Sequence, residues 1–197
     1  MTVSVNPADM TVEARRTMLL ASIVPRPIAW TSTTSTDGTR NLAPFSYCTV
    51  VSTTPPMLSL TLERKDGGEE KDTLRNLRAT GDFVVNILSG SLTDAMVATS
   101  GEYPQDVDEF AVAGVTPLAA DVVRADRVAE APISLECRLV HILQPGSDTV
   151  VIGRVERCHF DDTVIDGEGN IDPGALQPVG RLGRAFAVID GLLSIRA

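Results

Sequence analysis

Residues 28–63 read IAWTSTTSTDGTRNLAPFSYCTVVSTTPPMLSLTLE, and this stretch decides the fold class. Ile28–Thr34, Asn41–Ser52 and Met57–Glu63 are dense in β-branched and apolar residues, the composition of strands that pack on a core. Asp37-Gly38 is a hairpin-turn pair, so the first two runs are expected to lie antiparallel. Pro55-Pro56 cannot donate to a ladder and forces a second turn. The hydroxyl-rich segment TSTTSTDGT at 31–39 reads as a strand running into its turn, not as low complexity.

Working outward, Val12–Ala21 predicts a helix upstream. Downstream, Lys71-Asp72-Thr73 begins a short one: Asp72 or Thr73 can serve as N-cap, Leu74 and Leu77 lie one turn apart, and Gly81 suits a left-handed stop. Asp82–Leu88 is a fourth strand, and Ser91–Ser100 and Asp108–Ala113 are short helices. Ile133–Leu143 and Thr149–Phe160 are long strands joined by the hairpin signal Gln144–Asp148. Six strands in mostly hairpin order leave too few long connections for repeated βαβ units. The expectation is one mainly β domain: an antiparallel, Greek-key-like barrel decorated with short α-helices, closed so that few edges are exposed.

The totals agree with one globular domain. The 197 residues are 43% hydrophobic and 22% charged, enough to bury a core without disulfides or metal. A net charge of −9 repels phosphate backbones and anionic lipid, so neither nucleic acid nor membrane is expected as partner. A bound anionic cofactor remains compatible, because local donors decide phosphate binding. MTVSVNPADM has no basic region or apolar core, and no apolar run approaches the ~18 residues of a membrane span. A soluble, cytoplasmic protein is expected. Cys48, Cys137 and Cys158 fall in apolar stretches without a CxxC pair and read as buried reduced thiols. Segment 101–131 carries seven acidic residues against Arg124 and Arg127, a solvated face or a docking face for a redox partner protein.

Several chemistries are excluded. Of the two histidines, His141 falls in strand phase with Ile133, Leu135, Cys137 and Leu139, which predicts a core or edge position. His159 beside Cys158 matches no zinc spacing. Asp161, Asp162, Asp166, Glu168 and Asp172 fail the calcium-loop pattern, so no metal is expected. GxGxxG, GxxxxGK[ST] and GxSxG are absent. Redox chemistry would come from a cofactor on an unrelated scaffold.

Three patches carry the chemistry that remains: Val24-Pro25-Arg26-Pro27-Ile28, Asn41–Cys48 leading to Ser52, and Lys71-Asp72-Thr73. Lys71 and Thr73 at a helix start offer outward N–H groups, a full positive charge and a hydroxyl, a sound phosphate site or else an ordinary capped start. Pro44 removes a donor inside an apolar strand. Either that strand is an edge with a simple kink, or it bends and aims free N–H groups at a ligand, with Ser46 and Ser52 adding hydroxyls.

The runs PRPIAWTST, NLAPFSY, VSTTPPM and KDTLRNLRATGDFVVNI, followed by EAPISLECRL, VVIGRVERCHF and PVGRLGR, resemble the flavin reductase-like FMN-binding split-barrel proteins, flavoredoxins among them, over most of residues 20–189. The resemblance implies a homodimeric split barrel with FMN, or FAD in some relatives, in a groove between subunits. It puts Ala43, Pro44, Phe45, Ser46, Tyr47 and Cys48 along the isoalloxazine edge and Ser52, Lys71 and Thr73 at the ribityl phosphate. Arg26, Arg181 and Phe186 are implied as further contacts. Relatives carry Gly-Asp-His in a late hairpin where this chain has Gly146-Ser147-Asp148, and Arg184 and Phe186 stand in their RLGG-tyrosine pattern. The implied function is an oxidoreductase passing electrons from NAD(P)H through bound flavin to free flavin or another acceptor, with no catalytic side chain required. The alternatives are a non-enzymatic FMN electron carrier and an FMN oxidase for a small substrate.

Overall fold

The barrel grows from the quoted stretch. In this computed structural model, which describes residues 1–191, helix α1 (Val12–Ser22) precedes a short strand β1 (Arg26–Pro27) and the hairpin β2 (Ala29–Thr34) and β3 (Arg40–Phe45). Then come β4 (Cys48–Thr53), β5 (Pro56–Leu62), α2 (Asp72–Thr80) and β6 (Asp82–Ile87). Helices α3 (Thr93–Ala98) and α4 (Glu109–Ala113) lead to the small pair β7 (Pro117–Leu118) and β8 (Arg127–Val128). The long hairpin β9 (Ile133–Leu143) and β10 (Thr149–Phe160) follows, then α5 (Pro173–Leu176), β11 (Val179–Leu182) and β12 (Ala185–Val188). The last six residues of the expected domain lie outside the described residues.

Seven strands form one antiparallel sheet in the order β3-β2-β6-β9-β10-β5-β4. Its two edges, β3 and β4, are neighbours in the chain, so the sheet curls into a barrel with its split between them. The expected single strand Asn41–Ser52 is therefore corrected to two, broken at Ser46-Tyr47, and the expected six strands become seven in this sheet, with five further short strands outside it among the described residues. The corner is tied by Thr61 N–H donating to the Tyr47 carbonyl at 2.9 Å. A separate sheet, β1-β11-β12, sits beside this corner.

Alternation along the strands makes two cores. Ala29, Phe45, Leu58, Leu60, Leu62, Phe83, Val85, Cys137 and Val151 fill the barrel, which α2 plugs with Leu74 and Leu77. Trp30, Leu42 and Leu88 face outward under Met96 of α3 and Phe110 of α4. Gly153 is required where it stands: a Cβ there would lie 2.4 Å from the Phe83 ring.

Two expectations fail at bulges. Val140 has no partner between Leu139↔Gly153 and His141↔Ile152. The extra residue reverses the phase, Ile142 takes the core side, and His141 is exposed. Cys158 lies beyond a second bulge, at Glu156, where β10 has left the core, and its thiol is exposed; Cys48 is half-buried and Cys137 buried. Acidic segment 101–131 is solvated at Glu102, Asp106, Asp121 and Glu130, while other acidic residues in it are engaged. Asp108 caps α4, Asp108 and Asp126 bind Arg40, Glu130 accepts Thr116 N–H, and Glu109 is buried. No helix among the described residues is long and apolar enough to cross a membrane.

Candidate functional site

A large cavity opens at the barrel's split. It measures about 850 Å³ and lies between α1 and the Ser46–Thr49 corner, floored by Ser59 and Thr61 of β5. On β5 the leucines Leu58, Leu60 and Leu62 point into the barrel, so the alternate hydroxyls face the cavity. Leu19 and Leu20 of α1 and Ile23 just after it, with Pro25 and Pro27, supply an apolar wall. The volume falls within the range of about 300–1,000 Å³ usual for cofactor sites. No residue of α1 is buried, so this helix rests on the cavity and not on the core.

Arginines gather at this wall. Arg26, 6% exposed, donates from its guanidinium to the Leu20 carbonyl at the end of α1 and to Ser46 Oγ at 3.3 Å. It also lies 5.8 Å from the centre of the Tyr47 ring. Arg26 pairs in register with Arg181 of β11, which stacks over Phe186 at 4.2 Å. Burial, and then the nearby charges of Arg26 and Arg16, hold the Arg181 guanidinium below its ordinary pKa. Arg16 is held by Glu63 through contacts of 2.7 and 2.9 Å, which lower the Glu63 pKa despite burial. Arg15, Arg16, Arg26 and Arg64 thus line the cavity against two carboxylates, Asp148 and the already engaged Glu63, with Arg181 adjacent to Arg26. Burial pushes the Cys48 thiol up to about 11, so it stays protonated and offers no nucleophile.

A second, small cavity of about 30 Å³ lies beside the start of α2 and is lined by Asn41, Ala43, Lys71 and Thr73. The N-cap is Lys71, not Asp72 or Thr73, and no side chain caps the first turn. Asp72 is drawn instead to Lys65 at 2.6 Å and Arg75 at 2.5 Å. The helix end therefore keeps outward N–H groups beside a lysine. Thr73 is buried, and its hydroxyl meets the Asn41 amide at 3.0 Å.

Strand β3 links the two cavities. As an edge strand it pairs with β2 alone, and Pro44 falls where an N–H would point out of the ladder, which is why it is tolerated. Leu42 N–H points the same way and is taken by Glu109 Oε2 at 2.5 Å. Of residues 44–48 only Phe45 is buried.

The structure therefore brings Arg26, Ser46, Tyr47 and Cys48 onto one cavity, with Arg181 and Phe186 adjacent, and Ala43, Lys71 and Thr73 onto the other. Pro44 and Phe45 bridge them. Ser52 sits half-buried on edge strand β4 and lines neither cavity. Ser147 and Asp148 of the β9–β10 hairpin do reach the large cavity. Sequence reasoning missed the α1 wall and the β5 hydroxyls; only the Ser-Leu-Thr-Leu alternation of 59–62 signals the latter. It also missed the meeting of Asp121, Glu136 and His159. There the buried Glu136 carboxylate accepts Asp121 and Val122 N–H at 2.8 and 2.7 Å and contacts His159 Nε2 at 2.6 Å.

Comparison with known proteins places this geometry in context. Residues 20–175 match the family described as flavin reductase like domain. A protein of Aquifex aeolicus (strain VF5) is 38% identical over 171 residues, covering 87% of each chain. Nitrilotriacetate monooxygenase component B from Bacillus cereus superposes with a TM-score of 0.94 at 33% identity, covering 99% of both chains. Flavoredoxin of Desulfovibrio vulgaris (Miyazaki F) shares the fold, with a TM-score of 0.79 at 22% identity over 88% of this chain and 91% of that one.

Proposed function

This chain belongs to the flavin reductase like family, and we propose that it is an FMN-dependent oxidoreductase that takes electrons from NAD(P)H and delivers them to free flavin or another acceptor. The family supports flavin reductase activity in general; the cofactor's identity and the electron path are the proposal.

The observation that carries it is the pairing of the two cavities along the open edge of β3. From Ala43 to Phe45 the strand rises by about 7 Å, and the corner at Ser46-Tyr47 carries the chain on to the large cavity, a layout suited to a ring at one end and its phosphate at the other. A phosphorylated isoalloxazine fits the residues present: apolar walls and hydroxyls at the large cavity, and an uncapped helix end with Lys71 at the small one. FMN bound there supplies the hydride and electron chemistry.

The chain's own residues bind, orient and exclude water. Lys71 and the first N–H groups of α2 hold the phosphate. The Ser46–Cys48 backbone lies along the ring edge, where its donors favour added negative charge. Tyr47 and the α1 leucines cover the apolar faces. Arg26 and Arg181, crowded together without a carboxylate of their own, attract the anionic part of a nicotinamide nucleotide. The Ser147-Asp148 hairpin borders this entrance in place of a histidine, so positioning falls to its hydroxyl and carboxylate. Assembly as a homodimer completes the reading: Val12 and Leu19 of α1 and Ile23 just after it face solvent, an apolar stripe suited to a second copy. The electron-carrier alternative draws less support, because Asp108 and Asp126 are paired with Arg40 and Glu109 is buried, which leaves only part of the acidic segment for docking.

The test is the absorbance of FMN-loaded protein under anaerobic addition of NADH or NADPH. Bleaching by either supports the reductase. Bleaching by dithionite alone refutes it in favour of the carrier.

A further inference from the structure

The large cavity is cationic in a chain that is not. The whole sequence carries a net charge of −9, yet Arg15, Arg16, Arg26 and Arg64 line this cavity against only Glu63 and Asp148. A cleft lined by one sign of charge concentrates ligands of the other sign, whatever the total.

One of these arginines is spent on an acid. Arg16 takes both oxygens of Glu63, at 2.7 and 2.9 Å. Among the described residues no ion pair engages Arg15, Arg26 or Arg64. Neutral carbonyls hold Arg15 and Arg64 instead. Arg15 donates from Nε and Nη2 to Pro7 and Met10 at 3.0 and 3.2 Å, and Arg64 donates from Nη1 to Gly68 at 2.9 Å. Both forks are thereby positioned without being neutralised, and each keeps N–H groups for a ligand.

The cations form two poles. Arg26 holds the Leu20 carbonyl near the end of α1 and stands in register with Arg181. Arg15 lies about 7.5 Å of helix rise before Leu20, toward the end where Arg16 meets Glu63 and Arg64 follows β5. The reading above sends the anionic part of a nicotinamide nucleotide to the Arg26 pole and leaves the second pole unused. NADPH has a second anionic group and NADH does not: a phosphate on the 2′-oxygen of the adenosine ribose. Such a monoester carries about −1.5 to −2 charge near pH 7 and offers three acceptor oxygens, which arginine forks match.

We propose that Arg15 and Arg64 hold the 2′-phosphate of NADPH and so make NADPH the preferred electron donor of this chain. The inference rests on the flavin reductase reading above. Asp148 acts the other way, since a carboxylate lining the same cavity favours a ribose hydroxyl over a phosphate. It is one carboxylate, already accepting the Ser147 hydroxyl at 3.1 Å, against two guanidinium groups without an acid of their own. The 2′-phosphate is remote from the nicotinamide, so the preference acts on binding and not on hydride transfer. Arg64 is exposed and Arg15 half-buried, so solvent and salt hold the gain to about tenfold.

The test pairs a binding readout with a redox one. Calorimetric titration of FMN-loaded protein with adenosine 2′,5′-bisphosphate and with 5′-AMP reads the phosphate pole by itself. Anaerobic stopped-flow with NADPH and NADH, followed by flavin absorbance, separates the dissociation constant from the reduction rate. Wild type should bind the bisphosphate and NADPH about tenfold more tightly than 5′-AMP and NADH, with similar reduction rates and a preference that shrinks as salt rises. Arg15→Gln combined with Arg64→Gln should bring both ratios close to one. Arg64→Lys, which keeps the charge and loses the fork, should retain part of each. Equal dissociation constants for the two nucleotides in wild type, tighter binding of NADH, or a preference that survives in the double variant overturns the inference and leaves the flavin reductase reading intact. Reduction of the bound flavin by neither nucleotide overturns both.

Discussion

Replacing Arg26 with alanine should be the most damaging single change at the large cavity. The side chain is 6% exposed and ties three parts of the site: the Leu20 carbonyl at the end of α1, Ser46 at the β3–β4 corner, and the Tyr47 ring. A charge-assisted bond to the Leu20 carbonyl contributes about 1.5–3 kcal/mol, and the aromatic contact about 0.5–1 kcal/mol more. Relief of the like charge on Arg181 offsets part of that loss. A net destabilisation of about 2–3 kcal/mol follows, read by urea unfolding with an unchanged m-value. Since no α1 residue is buried, the helix should also open locally, with faster amide exchange in 16–22 and flavin affinity down at least tenfold. Arg26→Lys should recover the charge but not the fork, and restore only part of both. A change below about 0.5 kcal/mol in stability, with flavin affinity intact, would refute the role of Arg26 as organiser of this wall.

Two further outcomes test the scaffold. Glu136→Ala empties a fully buried position and leaves two part-buried backbone donors and the 21% exposed His159 without their partner, and should cost about 1–3 kcal/mol at neutral pH in urea unfolding. Burial would raise the Glu136 pKa, but those partners together hold it below the ordinary value, so its stabilisation is present above about pH 4.5 and is lost as pH falls through the lowered pKa; the gap between wild type and variant should close there. Gly153→Ala places a methyl 2.4 Å from the Phe83 ring and should lower stability by about 1–3 kcal/mol, partly restored by Phe83→Leu in the same chain.

How far the residues announce this structure depends on how local their pattern is. The β9–β10 hairpin and the β2–β3 turn are legible because alternation and turn chemistry act within a few residues. The break at Ser46-Tyr47 is not, since both flanks are strand-like and the corner exists only because the barrel must split there. His141 was misplaced by the bulge at Val140, which depends on pairing with β10 and leaves no mark in β9 alone. Lys71 and Thr73 were legible as a helix start, but not the capture of Thr73 by Asn41, which needs β3 beside α2. The α1 wall could not be read at all: its apolar residues look like those of any surface helix until the cavity beneath them is seen.

The central claim is that the large cavity takes the ring and the α2 start takes the phosphate. Comparing FMN with riboflavin by flavin fluorescence quenching, in wild type and in Lys71→Ala combined with Thr73→Val, tests it most directly. The account predicts FMN to bind wild type more tightly than riboflavin by about 2–4 kcal/mol, with that advantage lost in the double variant and riboflavin affinity unchanged. Equal affinities for the two flavins in wild type, or an advantage that survives in the variant, would contradict it.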